Sequence, residues 1–296
     1  MNRIPYYLTV DFEDFHHDYQ RLCGVTNPKF KRNALIASYD QINLFLKNKL
    51  NNQKITFFVT GIVAKFFPDL IKKISDDGHE IGSHYFYHDN IRETNRQNFS
   101  DNLYQSKDSI FKAIKSNAIG FRAPNFAIDQ DDFWAYEEIS KNFLYDSSCK
   151  VFLDDARTIN EYETFFKKIK LYQFYISQKK FFNKKLFVRS GGTFMKVFSI
   201  FSIIKLMQDS SKKKITPILY LHPYELLSKD FFWIKLSDFE GINYKKYYYW
   251  LKQLQWTCFG GEIFFDKISI ISNFFSHQGL LKDNNNFKKF SEKNKL

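Results

Sequence analysis

Short apolar runs alternate with stretches of helical period through most of this chain, and that beat leaves few folds open. Tyr6 to Val10 reads as a buried strand. Leu35, Ile36, Tyr39, Ile42 and Leu46 keep the spacing of one helix face. Ile55 to Thr60 is a second buried strand, stopped by Gly61, and a helix from Pro68 through Ile74 closes at Asp77-Gly78. His79 to Gly82 is a short third strand, and Asn98 to Lys115 a further helix. Gly120-Phe121-Arg122 is a fourth strand, broken by Pro124, with a helix over Asp131 to Ser140. The beat returns with a strand at Leu186 to Arg189, a helix at Phe198 to Gln208 and a strand at Ile215 to Leu221. A helix at Tyr244 to Leu254 and a last strand near Trp256 complete it. Such alternation predicts an α/β fold with a parallel sheet or barrel over residues 1–281. Residues 151–185, rich in aromatics and lysines, lack the beat and read as an insertion covering the barrel. Residues 282–296 form a polar tail, expected to fray.

In αβ barrels the chemistry sits at the carboxyl ends of strands. Asp11, Glu13 and Asp14 end the first predicted strand, His84 and His88 follow the third, Arg122 ends the fourth and His222 a late one. All therefore fall on one rim, where chance would scatter them over both. Two imidazoles and a carboxylate are what a catalytic divalent ion takes from a protein, leaving positions for water and substrate. His84 and His88 stand one helical turn apart, so both can face one point. With seven histidines in the chain that spacing alone is weak; its place after a strand, with Gly82 and Ser83 making the turn, strengthens it.

The acidic triplet also suits a solvated turn or a helix start. Yet Asp11 directly continues an apolar strand, where an unpaired carboxylate is costly to bury and a metal or an arginine would compensate. Pro124 restricts Ala123 to an extended shape and so fixes the direction of Arg122. A guanidinium beside Asp11 would keep that carboxylate ionised and oriented. Pro223 ends the late strand sharply and aims His222 at the rim, where histidine serves as a general acid near neutral pH.

The net charge of +12 admits anionic substrates or weak attraction to an anionic membrane surface. The lysines lie in scattered runs, such as Lys184-Lys185 and Lys212-Lys213-Lys214, that suit a solvated surface, and no nucleic-acid signature accompanies them. Cys23, Cys149 and Cys258, odd in number and widely spaced, fit reduced thiols in the cytoplasm. The N-terminus runs straight into a strand pattern, with no signal peptide expected. The most apolar stretch, Val197 to Met207, contains Lys205 and is too short to span a bilayer.

Four segments, in order, resemble the polysaccharide deacetylase family, carbohydrate esterase family four. Thr9 to Asp14 resembles its first motif, Ile55 to His88 its second, Arg122 to Phe126 its third and Leu221 to Glu225 its last. The resemblance implies a distorted (β/α) barrel of about seven units, a divalent ion of the zinc type, and hydrolysis of N-acetyl groups on sugars. It implies Asp11 as general base, oriented by Arg122, His222 as general acid, and His84 and His88 as metal ligands. Pro124, Phe126 and Tyr224 carry over as substrate contacts. The third ligand departs from the family pattern: Phe12 follows Asp11 where a second aspartate is usual, so Asp14 or Glu13 fills the role, Asp14 being favoured for its short side chain. Tyr85-Phe86-Tyr87 also replaces the usual small hydroxyl residue after the first histidine. The implied substrate is an acetamido sugar of a surface-polysaccharide precursor, nucleotide- or lipid-linked. The competing readings are hydrolysis of non-sugar amides, cyclic imides or ureides on the same scaffold, and a catalytically dead carbohydrate-binding relative.

Overall fold

The computed structural model describes residues 3–295 apart from 130–131, 182–185, 228, 240, 242 and 258–260. Its strands are β1 (Ile4–Phe12), β2 (Thr56–Val59), β3 (Glu80–Ser83), β4 (Gly120–Phe121), β5 (Tyr145–Asp146), β6 (Lys150–Phe152), β7 (Tyr172–Gln173), β8 (Ile176–Phe181), β9 (Leu186–Arg189), β10 (Ile218–Leu221) and β11 (Phe275–His277). The main sheet runs β10-β1-β2-β3-β4-β5-β7, and β11 pairs with the start of β1. Every pairing in it is parallel. Parallel neighbours need crossovers, and helices such as Arg32–Lys49 between β1 and β2 supply them. The seven strands curl into a half-barrel clothed by helices. A smaller sheet, β6-β8-β9, flanks it, and a bridge from Gly191 to Tyr220 ties the segment after β9 to β10.

The period of two along each strand divides the core. Tyr6, Leu8, Val10 and Phe12 of β1 face outward and join the large cluster under the helices. Tyr7 faces inward with Phe58, Tyr145, Phe174, Ile218 and Tyr220, and these fill the lumen. Aromatic filling needs bare backbone opposite. A Cβ on Gly82 would stand 2.7 Å from the Phe58 ring, and one on Gly120 2.0 Å from that of Tyr145.

Four expectations about secondary structure are corrected. Residues 151–185 keep the beat after all: the helix Ala156–Lys168 leads into β7, which extends the main sheet beside β5. Among the described strands only β6, β8 and β9 stand apart from that sheet. No strand lies near Trp256, which sits in the helix Tyr244–Thr257; the last strand is β11. The polar tail does not fray. Leu281 N–H donates to Thr56 Oγ1 (3.0 Å) and Lys282 N–H to Glu80 Oε2 (3.1 Å), both at the amino ends of inner strands. The helix Asn285–Asn294 then buries Phe287 against Tyr145 and closes the lower mouth of the barrel. The fourth correction, at the histidine pair, belongs to the site. Cys258 and Lys184-Lys185 lie outside the described residues, and Asp131, expected to open a helix, does too; that helix is Phe133–Ser140. Among the described residues no helix is long and apolar enough to cross a membrane.

Candidate metal centre and active site

The inward register of the lumen strands continues past their ends and makes the site. Asp11 and Glu13 follow Tyr7 and Thr9 on the inner face of β1, while Phe12 turns outward into the core. Glu13 Oε2 lies 2.6 Å from His88 Nε2 and 3.5 Å from His84 Nε2. One ligand atom from each of the three residues lies within 4.8 Å of the other two. His84 Nδ1 meets the Arg122 carbonyl at 2.8 Å; as donor there, it leaves the Nε2 lone pair facing Glu13. That Nε2 is buried without a hydrogen-bond partner, beside a Glu13 Oε2 set between the two imidazoles. An orphaned buried imidazole nitrogen facing a buried carboxylate is a cost that a divalent cation removes. The donor set, two imidazoles and one carboxylate, fits such an ion.

Electrostatics agree with a crowded anion–imidazole cluster. Burial would raise the Glu13 carboxyl, but His88 and His84 beside it hold it well below the usual carboxylate range. Burial would lower His88, and the Glu13 charge raises it instead. A proton held between such a pair is what a cation displaces on binding.

His84 and His88 do not share a helix, and this is the fourth correction. They bracket a bend in which Tyr85 takes φ 67°, a conformation costly for an aromatic residue. The helix Gly61–Phe66 holds that bend. Its first amides have no partner inside the helix, and Gly61 N–H donates to Tyr85 O (2.8 Å) and Ile62 N–H to Phe86 O (3.0 Å). Gly61 allows the approach, since a Cβ there would sit 2.6 Å from the Phe86 ring.

Asp14 is corrected as a ligand. The chain turns after Glu13, and Asp14 becomes the N-cap of the helix Phe15–Leu22, accepting from His17 N–H (3.1 Å) and Lys31 N–H (2.6 Å). Its short side chain suits capping and keeps it from the histidines. Burial pushes its carboxyl up to about 6 despite those two bonds.

Behind Glu13 stands an ion pair. Arg122, wholly buried, donates from Nη1 to Asp11 Oδ1 (2.6 Å) and Thr9 Oγ1 (2.8 Å). Its Nη2 donates to Ser147 Oγ (2.8 Å), its Nε to Ser147 O (3.2 Å), and it lies over the Phe58 ring at 4.2 Å. So many partners repay the burial of a guanidinium. Asp11 Oδ2 lies 3.8 Å from His222 Nε2. The other His222 nitrogen, Nδ1, meets Glu225 Oε2 at 3.0 Å, and that oxygen also accepts His222 N–H. Burial would lower the imidazole, but Glu225, with Glu13 and Asp11 behind it, pushes it up to about 9. Tyr224 stacks on the ring at 4.9 Å.

These groups open on a cleft of about 770 Å³ lined by Asp11, Glu13, His88, Phe126, His222 and Tyr224 among others. Pro124 does not line it; buried, it starts a tight turn in which Asn125 and Phe126 take positive φ. Sequence reasoning missed Glu225, although its spacing of three from His222 marks a capping box. It missed Ser147, whose neighbours carry no signal, and the role of Thr9 as a partner of Arg122. It also missed Asp18, half-buried at the cleft and bonded to His17 Nδ1 (3.0 Å), in a helix where an acid ordinarily faces water.

Comparison with known proteins follows the same lines. Residues 39–141 match the family model described as polysaccharide deacetylase. That span holds His84, His88 and Arg122. The chain is 30% identical over 100 residues to a peptidoglycan-N-acetylglucosamine deacetylase of Bacillus cereus, covering 33% of this chain and 35% of that protein. It is 40% identical over 70 residues to the peptidoglycan-N-acetylmuramic acid deacetylase PdaA of Bacillus subtilis, covering 23% and 27%. The aligned stretches thus span about a third of the curated relatives. Among solved structures, the Xyl-CE4 domain of a multidomain xylanase from the hindgut metagenome of Trinervitermes trinervoides aligns with a TM-score of 0.41 at 11% identity, over 100% of this chain and 93% of that one. The matched span, which holds the paired histidines and the arginine of the site, is thus similar to the polysaccharide deacetylase family.

Proposed function

We propose that the chain is a metal-dependent carbohydrate N-deacetylase that hydrolyses the acetamide of an acetamido sugar. One observation carries the reading: a buried Glu13–His84–His88 ligand set, an arginine-clamped aspartate and a carboxylate-backed histidine meet at one cleft. A divalent cation held by Glu13, His84 and His88 would supply Lewis-acid polarisation and a more acidic water. Zinc suits the donor set best.

The protein's own groups do the proton work. Asp11 is fixed by Arg122 with Oδ2 turned toward His222, so one oxygen is oriented and the other free to take a proton from the attacking water. The water oxygen adds to the acetyl carbon. His222, charged and backed by Glu225, delivers a proton to the sugar nitrogen as the C–N bond breaks. Acetate and a free amine leave. Phe126 and Tyr224 offer apolar faces to the sugar.

The relatives named for peptidoglycan acetamido sugars support this substrate class. Three widely spaced cysteines fit a cytoplasmic site of action, and the basic surface fits a nucleotide- or lipid-linked precursor of a surface polysaccharide. The test is acetate release from N-acetylated sugars by the metal-loaded protein. Release that chelation stops supports the reading, whereas a loaded protein inert toward every acetamido sugar tried overturns it.

A further inference from the structure

A second cavity of about 310 Å³ adjoins the cleft, and Asn125, Phe126, His222 and Tyr224 line both. The two differ in chemistry. The cleft carries Asp11, Glu13, Asp18, Asp89, Glu93 and Asp101. Among the described residues no carboxylate lines the annex; its walls are largely aromatic, and besides His222 its cationic side chain is Arg189, at the end of β9. Among the described residues Arg189 makes no ion pair. It lies over the rings of Phe187 (5.0 Å), Phe194 (5.6 Å) and Phe126 (5.8 Å). With the Gln178 amide oxygen turned toward it, Nε and Nη2 donate to that oxygen, which fixes the guanidinium without neutralising it. Gly192, φ 56°, lines the annex beside His222. A Cβ there would stand 3.1 Å from the Tyr220 ring and 3.5 Å from His222 Cε1.

The direction of the substrate follows from the reading above, on which this inference rests. His222 faces the leaving nitrogen, so the sugar ring attached to that nitrogen lies on the His222 side, and its substituents reach toward the annex. We propose that the annex is a subsite for an oxyanion substituent of the sugar, a phosphate or carboxylate, with Arg189 as its counter-ion. A guanidinium matches both groups by paired hydrogen bonds, and the aromatic walls strengthen the attraction by keeping water out.

The test compares neutral N-acetylglucosamine, N-acetylglucosamine 1-phosphate and N-acetylmuramic acid. Binding is measured by calorimetry on metal-loaded Asp11→Asn protein, and turnover on the wild type. We expect at least one anionic sugar to bind about 10- to 100-fold tighter than the neutral one, as charge-assisted bonds do. Which one does separates phosphate from carboxylate. Arg189→Gln should erase the preference and Arg189→Lys should keep most of it. Equal binding of all three sugars, or a preference that survives Arg189→Gln, overturns the subsite. Turnover without preference would leave the deacetylase reading standing, and binding preference without turnover would leave the subsite standing.

Discussion

Single side chains at the rim divide the work. Asp11→Asn keeps the shape of the site but removes the base, so we expect turnover to fall by about 10²- to 10⁴-fold with bound metal unchanged by elemental analysis. Retained activity would take Asp11 out of that role. Glu13 and Asp14 are neighbours with opposite fates. Glu13→Ala should lose the metal, whereas Asp14→Ala should keep it and lower stability by about 0.5–2 kcal/mol through the lost helix cap, read by denaturant unfolding. His222 is raised above the ordinary histidine range of about 6.5 by its carboxylate partners. Its share of stability is therefore complete below that range and is lost as pH climbs through about 9. An NMR titration of the metal-free protein should find the ring protonated to about pH 9, and Glu225→Gln should move the transition to lower pH. An unmoved transition would show that Glu225 does not hold the charge.

At the scale of elements, what the sequence reveals depends on how local the cause is. Buried strands and their helices show in hydrophobic period, so β1 to β4 and the rim position of Asp11, His84, Arg122 and His222 could be read in advance. The choice between Glu13 and Asp14 could not, because it turns on where β1 stops and the chain bends. Phe12 completes the strand's outward face; Glu13 keeps the inward register for one more residue, and Asp14 does not. The 84–88 loop shows the reverse hazard. A spacing of four suggested a helix, yet a left-handed Tyr85 pinned by the start of the helix Gly61–Phe66 brings the imidazoles together. β7 was hidden by its shortness, and the closing helix Asn285–Asn294 by its polarity, since its anchors are backbone bonds to Thr56 and Glu80. Phe287→Ala at that lid should cost about 3–5 kcal/mol if the lumen cannot collapse around the hole, measurable as a lowered denaturation midpoint. Little change would mean that the lower mouth of the barrel is not sealed by this helix.

Across the whole molecule, one geometric fact connects fold to chemistry. Parallel strands that share an inward register carry aromatic residues through the lumen and then deliver Asp11, Glu13, His84, Arg122 and His222 to the same end. The aromatic filling and the bare glycines opposite it set how far apart those ends stand. The net charge of +12 is not spread into the cleft, whose charged side chains are mostly acidic; the neighbouring annex adds Arg189 to the site. The most direct measurement is the number of divalent ions each chain retains after dialysis, by elemental analysis of the wild type and of His84→Ala. We expect one ion in the wild type and none in the variant. An empty wild type, or an ion that persists without the His84 imidazole, would contradict a Glu13–His84–His88 centre.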